Sequence, residues 1–198
     1  MKQNIIFVFL MFLIFIPLHA QDHYNSFFTE SLQTNNTGMY VLGTWAIANL
    51  ASGAVGWHRG SGSNKYFYQM NLFWNTVNLS IAGISLYSNL NTDISLLSPG
   101  EMIDKHTRVE HLYLINAGLD VAYVGTGFLL KHFSTKNSKR ADLLEGYGNS
   151  IILQGSFLFV FDIVMYLIQY SHRIQFLDNI NVAMAPGTML IKLSIGVQ

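Results

Sequence analysis

The chain has 198 residues, of which 51% are hydrophobic and 11% charged, and its eleven basic residues balance its eleven acidic residues. A soluble domain carries about 25% charged residues, so this composition favours a membrane protein, and the charge balance argues against a basic surface that binds nucleic acid. The absence of cysteine excludes disulfides, thiolate nucleophiles and iron–sulfur clusters.

The amino terminus, MKQNIIFVFLMFLIFIPLHAQ, has Lys2 before an apolar run over residues 5–16 and a small Ala20 before Gln21. This order is typical of a secretory signal peptide and predicts that residues 1–20 are removed after Ala20. Because Leu18 is larger than the cleavage pattern prefers, an uncleaved membrane anchor is the alternative. Both versions place residue 22 outside the cytoplasm.

A polar lead-in at residues 21–38, which we expect to be poorly ordered, precedes four apolar stretches without Lys or Arg. Each stretch is long enough to cross about 30 Å of hydrocarbon at about 1.5 Å per residue. The sequence therefore predicts an all-α membrane four-helix bundle over residues 39–171, with spans at 39–57, 66–88, 112–130 and 149–170. The alternative is a secreted soluble bundle, whose helices would need a charged outer face that these stretches lack.

Basic residues in the loops predict the orientation of the spans. Loops 58–65 and 131–146 contain Arg59, Lys65, Lys131, Lys136, Lys139 and Arg140, whereas the other side of the bundle has Lys105, Arg108, Arg173 and Lys192. Basic loops prefer the cytoplasmic side. We therefore expect a multi-pass protein of a bacterial inner membrane with its mature amino terminus in the periplasm.

Residues 172–198 are predicted to be a tail on the outer side of the membrane. Pro186–Gly187 separates two β-branched or apolar runs, a pattern typical of a short β-hairpin lying against the membrane surface. A disordered tail and an interfacial helix are the alternatives.

Polar residues of the spans form stripes when each span is drawn with 100° per residue. A polar side chain that faces lipid lacks hydrogen-bond partners, so such stripes turn toward neighbouring helices. The predicted buried polar layer comprises Asn49, Asn71, Asn75, Asn78, Asn116, Asp120, Gln154, Asp162 and Tyr166. Because no basic residue lies inside a span, we expect Asp120 and Asp162 to be mostly protonated or to share one proton, facing each other or the asparagines.

This layer has two interpretations. Amides and carboxyls can hold helices together, with small residues allowing close approach, here Gly53, Gly56, Gly83, Gly125 and Gly127. Intramembrane carboxylates also mark proton paths and ligand sites. The first interpretation predicts a non-enzymatic structural or assembly component, and the second predicts a proton-coupled transporter or small-ligand binder that uses Asp120 and Asp162.

Other constellations are weaker. Histidines near span ends, namely His58, His111, His132 and His172, could hold haem between helices, although they lie at or beyond the hydrocarbon edge. His106 and Glu110 in HTRVEH have a spacing that a metal could use, but the zincin pattern is absent and solvated capping is favoured. The sequence therefore predicts no cofactor, no metal and no enzymatic motif.

Three segments carry a resemblance to a known family: YQMNLFWNTVN (68–78), NAGLDVAY (116–123) and GYGNSIILQGSFLFVFDIVMY (146–166). They are similar to a family of small uncharacterised bacterial membrane proteins known only as a domain of unknown function. The resemblance implies a four-helix inner-membrane protein and supplies no activity or catalytic residue. The partners expected are the lipid bilayer and a second copy or another membrane protein, with no nucleic acid.

Overall fold

The computed structural model describes the backbone of residues 2–184 and the side chains of residues 21–180. Within residues 2–184 the chain forms four α-helices and one 3-10 turn, without a strand. The helices are α1 (Lys2–Arg59), α2 (Gly62–Leu90), α3 (Pro99–Ser134) and α4 (Ala141–Met184), and the 3-10 turn is Ile94–Leu96. The prediction of an all-α four-helix bundle is confirmed, and each predicted span lies inside one helix.

Short connections between the helices have clear local causes. Gly62, at the start of α2, has a φ of 55°, a left-handed conformation that glycine adopts without steric cost. A capping box begins α3: the Ser98 side chain accepts a hydrogen bond from the Glu101 backbone N–H, and the Glu101 carboxylate accepts one from the Ser98 backbone N–H at 2.8 Å. Pro99 occupies the first turn, where a missing N–H costs nothing.

Glycines allow close approach of helices near the end of the bundle that holds the α1–α2 and α3–α4 connections. A Cβ atom added to Gly53 would lie 3.1 Å from the Cβ atom of Leu72 on α2, and one added to Gly127 would lie 2.8 Å from a carbonyl oxygen of α4. Gly83 and Gly125 do not serve contacts between the described helices, because their Cβ positions have no atom within 4 Å. These two glycines face outward.

Three helices continue past the predicted spans at the other end of the bundle and form what we call the cap: residues 21–38, 99–111 and 171–180. The cap has its own apolar core, in which Phe27, Phe28 and Met102 are buried. The Phe27 ring stacks on the Phe176 ring of α4 with 4.1 Å between centroids. The cap is therefore an ordered three-helix unit that continues directly from the bundle.

The cap corrects two predictions. Residues 21–38 are helical, so the expectation of a poorly ordered lead-in is wrong. α4 continues to Met184, so the first part of the predicted tail, including the start of the predicted hairpin at residues 180–184, is helix. Pro186–Gly187 lies outside the described residues, and cleavage after Ala20 stays a prediction.

The distribution of polarity differs between the bundle and the cap. Among the described residues, 24 of the 27 exposed large apolar side chains lie within the four predicted spans, and none lies in the cap. Ile84 is 70% exposed, for example, whereas Gln154 is 0% exposed. Water-soluble proteins usually bury apolar groups and expose polar ones, so the bundle has inverted polarity while the cap has the ordinary one.

Two helices in the described part of the chain are long and apolar enough to cross a membrane: Pro99–Ser134 and the Ala141–Ile180 part of α4.

We predict that Met102→Ala destabilises the cap by about 2–5 kcal/mol, because it removes a fully buried side chain and leaves a cavity. The measurement is amide hydrogen exchange of residues 21–38 and 99–111, which reports local opening. The control is Leu96→Ala, at a position that is 78% exposed, for which a change within about 0.5 kcal/mol is expected. Equal protection of the cap amides from hydrogen exchange in both variants would contradict a stabilising apolar core around Met102.

Candidate functional site

A cluster of amide side chains joins α1, α2 and α4 in the lower half of the bundle, away from the cap. Gln154 Nε2 donates to the side-chain oxygens of Asn49, at 3.3 Å, and of Asn71. Asn71 Nδ2 donates to Asn49 Oδ1 at 2.9 Å, and Trp45 Nε1 donates to Gln154 Oε1 at 2.9 Å. Asn75 Nδ2 donates to the Asn71 backbone oxygen at 2.8 Å. We call these five residues the amide cluster.

The amide cluster is internally satisfied. Asn49, Asn71, Asn75 and Gln154 are all buried, and each takes part in at least one hydrogen bond to another member. A buried amide without a partner costs about 1–3 kcal/mol, so these contacts fix the register of three helices against one another. This arrangement serves helix packing and leaves little capacity for a ligand.

Asp120 on α3 and Asp162 on α4 lie side by side, within hydrogen-bonding range of each other, and we call them the carboxyl pair. Both are buried, with 3% and 5% exposure. Asp120 Oδ2 is buried and has no hydrogen-bond partner among the described residues apart from its carboxyl neighbour. The carboxyl pair therefore differs from the amide cluster in having unused hydrogen-bonding capacity.

Close packing of α3 against α4 brings the two carboxyls together. Gly155 lies two turns before Asp162 on α4, and a Cβ atom there would lie 3.2 Å from the Asp120 backbone oxygen and 3.0 Å from the Val124 side chain. The absence of a side chain at Gly155 lets the backbone of α4 approach the backbone of α3 at Asp120. Sequence spacing alone could not identify this contact.

The carboxyl pair lines a cavity of about 350 Å³ that involves all four helices. Its polar wall also includes Asn78 and Tyr113. Its apolar wall is formed by residues of every helix, including Met39, Leu42, Trp74, Val77, Ile81, Leu119, Leu158 and Phe161. The rings of Trp74 and Tyr123 meet edge-on at 4.8 Å between centroids, which narrows the gap between α2 and α3.

The predicted polar layer is thus divided in two. Asn49, Asn71, Asn75 and Gln154 lie in the amide cluster, whereas Asn78, Asp120 and Asp162 line the cavity. Asn78 also connects the two groups, since its Nδ2 donates to Asn75 Oδ1 at 3.4 Å.

Two predicted members of the layer lie elsewhere. Asn116 is exposed at the open side of the cavity, because Ala117 takes the inward position of that turn with 2% exposure. Tyr166 is half-buried, packs beside the apolar core and stacks near Tyr170, and it does not line the cavity. The prediction that these two side chains belong to a buried layer is wrong.

Polar contacts continue from the cavity into the cap. The Tyr113 hydroxyl donates to Asn35 Oδ1, and Asn35 Nδ2 donates to Ser85 Oγ at 3.2 Å. One turn nearer the chain start on α1, Ser31 Oγ lies 2.7 Å from His106 Nδ1. Sequence reasoning missed Ser31 and Asn35, although their spacing of four residues follows the same helical period as the recognised stripes.

His106 and Glu110 correct a further prediction, because both are 1% exposed and neither is a solvated capping residue. His106 Nε2 donates to the Gln169 backbone oxygen at 3.1 Å, so Nδ1 accepts from Ser31. Glu110 accepts two hydrogen bonds from Arg173, at 2.7 and 3.0 Å. Such bidentate pairs are the strongest ion-pair geometry that side chains offer.

These groups do not form a metal site. Among the described residues, no group of three or more His, Asp or Glu side chains could hold a metal ion. Of the histidines considered for haem, three are exposed, namely His58, His111 and His132, and His172 lies 3.1 Å from Glu30 through Nε2.

Comparison with known proteins gives one match. Residues 41–163, more than half of the chain, match a family described as "Family of unknown function (DUF6992)". The matched region contains the amide cluster, the carboxyl pair and the α3 part of the cap. No curated protein and no solved structure matches the chain.

We predict that His106 makes the stability of the cap depend on pH. Burial of the ring lowers the pKa of His106 to about 4 from 6.5; Arg173 and His172 also lower it, while the Gln169 carbonyl and Glu110 oppose the shift. Between pH 4 and 6.5 the unfolded chain binds the extra proton, so stability rises with pH across this window, by up to about 3 kcal/mol.

The measurement is the unfolding midpoint of the protein at pH 4.5 and at pH 7. His106→Gln is expected to reduce the difference between the two midpoints, whereas His111→Gln, at an exposed position of the same helix, is expected to retain it. The same pH dependence in both variants would show that another group controls it.

Proposed function

The chain belongs to this family of unknown function, and we propose that it is a multi-pass protein of a bacterial inner membrane that binds a small amine-bearing molecule at the carboxyl pair. The single observation that carries the proposal is a buried pair of carboxyls, with unused hydrogen-bonding capacity, beside a cavity inside an apolar-surfaced bundle.

The inverted polarity of the bundle supports the membrane part of the proposal. All four helices, including α1 and α2, expose large apolar side chains within the predicted spans, and the polar residues of those spans are mostly inside. This pattern fits hydrocarbon as the surrounding solvent, because lipid solvates apolar groups and offers polar ones no partner. At the cap end of the bundle, the apolar surface stops near Tyr40 on α1, Leu112 on α3 and Tyr170 on α4.

The orientation rests on charge and on the amino terminus. Among the described residues, six basic residues lie around the connections at the end away from the cap, against three beyond the spans at the cap end. The cap would then lie in the periplasm, continuous with a mature amino terminus at Gln21. Ordinary polarity of the cap surface supports contact with water there.

The carboxyl pair favours a cationic ligand. Two carboxylates this close in a low-dielectric setting repel each other, so a cation bound between them is favoured. Within the described part of the chain, no Lys or Arg side chain lines the cavity to compensate negative charge on the pair. An ammonium group would provide that compensation and donate hydrogen bonds to both carboxyls, while its apolar body would contact Leu42, Val77 and Phe161.

The structural or assembly component is the second candidate function. The amide cluster supports it only within one chain, since its hydrogen bonds are made within and between helices of the same bundle. The outward position of Gly83 and Gly125 favours a contact with a second copy or another membrane protein. That partner remains a prediction.

Cysteine labelling tests the membrane placement, because the natural chain has no cysteine. With a membrane-impermeant maleimide on spheroplasts, we expect Ser26→Cys in the cap to react, Ser138→Cys to react only after permeabilisation, and Ile84→Cys to resist both. All three positions are exposed in the isolated bundle, so equal reactivity without detergent would contradict a bilayer around the spans.

Binding of benzylamine to the detergent-purified protein tests the site. We expect Asp162→Asn to lower the affinity by about tenfold or more, because hydrogen bonds to charged groups contribute about 1.5–3 kcal/mol, while stability stays within about 1 kcal/mol. Gln154→Leu is the matched variant in the amide cluster, expected to lower the unfolding free energy by about 2 kcal/mol and to leave the affinity of the folded protein unchanged.

Toluene, which is benzylamine without its amino group, is the ligand control. If toluene binds as tightly as benzylamine, or if Asp162→Asn binds benzylamine like the natural chain, the cavity does not recognise an amine. Isothermal titration calorimetry distinguishes these results.

A further inference from the structure

A groove between α1 and α4 lies on a different side of the bundle from the carboxyl cavity and consists of two connected parts. The lower part, of about 540 Å³, is apolar and has Val41, Val160 and Val164 among its walls. The upper part, of about 700 Å³, is lined by Glu30, Gln33, Ser171, His172 and Gln175, among others. The two parts share Thr34, Thr37 and Ile168, so they form one continuous groove.

The change from apolar to polar lining coincides with the boundary of the apolar surface. Tyr40 and Val41 are the first exposed large apolar residues of α1 in the described part of the chain, and Ile168 and Tyr170 are the last of α4. Most residues of the apolar part lie below this boundary, whereas most residues of the polar part lie in the cap. A molecule that fills the groove must therefore be amphipathic along its length.

The length of the apolar part matches one leaflet of a bilayer. Phe157 and Ile168, at its two ends on α4, are eleven residues apart, which corresponds to about 16 Å along a helix. The hydrocarbon of a bilayer is about 30 Å thick, so one leaflet measures about 15 Å. An acyl chain that enters at the boundary would reach the end of the groove at the bilayer midplane.

Gly38 and Met165 form part of the groove floor. A Cβ atom on Gly38 would lie 2.6 Å from the Met165 terminal methyl group, so the missing side chain leaves room for Met165 to lie flat between the helices. Both residues are buried. The floor is thus a packed, apolar surface suited to contact with a flexible chain.

The polar part has a charge that selects the headgroup. Among the described residues that line it, Glu30 carries the formal charge and no Lys or Arg is present. His172 Nε2 lies 3.1 Å from Glu30 Oε2, so a cation bound here shares the carboxylate with the imidazole. The Glu30 carboxylate is complementary to a primary ammonium, and the Gln33 and Gln175 amides can donate hydrogen bonds to phosphate oxygens.

From these observations we propose that the α1–α4 groove binds one phospholipid of the cap-side leaflet, with phosphatidylethanolamine as the preferred headgroup. The proposal rests on the proposed membrane placement and is independent of the amine site at the carboxyl pair. The ethanolamine ammonium lies at Glu30 and one acyl chain fills the apolar part as far as Phe157.

Native mass spectrometry of the detergent-purified chain, with equal amounts of phosphatidylethanolamine and phosphatidylglycerol added, tests the proposal. We expect one retained phosphatidylethanolamine. Val160→Trp fills the apolar part and is expected to remove it, whereas Val121→Trp, on α3 outside the groove, is expected to keep it. The two valines are matched, with 60% and 59% exposure, so general effects of an added indole cancel.

Headgroup selection is tested with Glu30→Gln, for which we expect the preference for phosphatidylethanolamine over phosphatidylglycerol to fall about three- to fivefold, as for an exposed ion pair. Asp104→Asn, an exposed carboxylate outside the groove, is the control and should keep the preference. Equal lipid loss in both tryptophan variants, or equal retention of the two lipids by the natural chain, overturns the proposal.

Failure of this proposal differs from failure of the membrane placement. A chain that shows the expected cysteine labelling but retains no phospholipid contradicts the groove alone. A chain whose three cysteine variants react equally without detergent contradicts both.

Discussion

Hydrogen bonding between side-chain amides in the interior of an apolar-surfaced bundle is the constraint on which the rest of the structure depends. Gln154 contacts Asn49, Asn71 and Trp45, so one α4 residue connects to both α1 and α2. Displacing any of these helices by one turn would separate donors from acceptors in a setting where no water replaces them, which costs more than losing an apolar contact of similar size. The amide cluster therefore sets the register within which α3 can meet α4 at Gly155 and the two carboxyls can become neighbours.

Period and composition predicted the four helices and most of the inward-facing polar residues, because both depend on local spacing that a single sequence contains. Asn116 shows the limit of that reasoning. It lies 100° from Ala117 around the helix, and the structure buries Ala117 while Asn116 is exposed. The glycines show the same limit, since Gly53 and Gly127 have close partners and Gly83 and Gly125 have none. Whether a glycine allows close contact with another helix depends on neighbours that lie far away in the sequence.

The cap was missed for a different reason. Hydrophobic length identifies the part of a helix that suits hydrocarbon and gives no information on where the helix ends. It therefore predicts a lead-in and a tail at residues 21–38 and 172–184, where the structure has helix. Within them Phe27, Ser31 and Asn35 repeat every four residues, a pattern that could have predicted a helix. The bidentate contact of Glu110 with Arg173 could not have been predicted, because 63 residues separate the partners and several other arginines and lysines were available.

The open side of the carboxyl cavity lies between α2 and α3, beside Val77, Ile81 and Leu119, while the cap closes the bundle above it. With the proposed membrane placement and the proposed ligand, this geometry would make the bilayer the reservoir from which the site is filled. An amphipathic amine partitions into lipid to concentrations far above those in the surrounding water, so lateral entry would let a cavity with modest intrinsic affinity stay occupied at low aqueous concentrations. Occupancy would then follow the oil–water partition coefficient of a compound as closely as it follows the fit of that compound to the cavity.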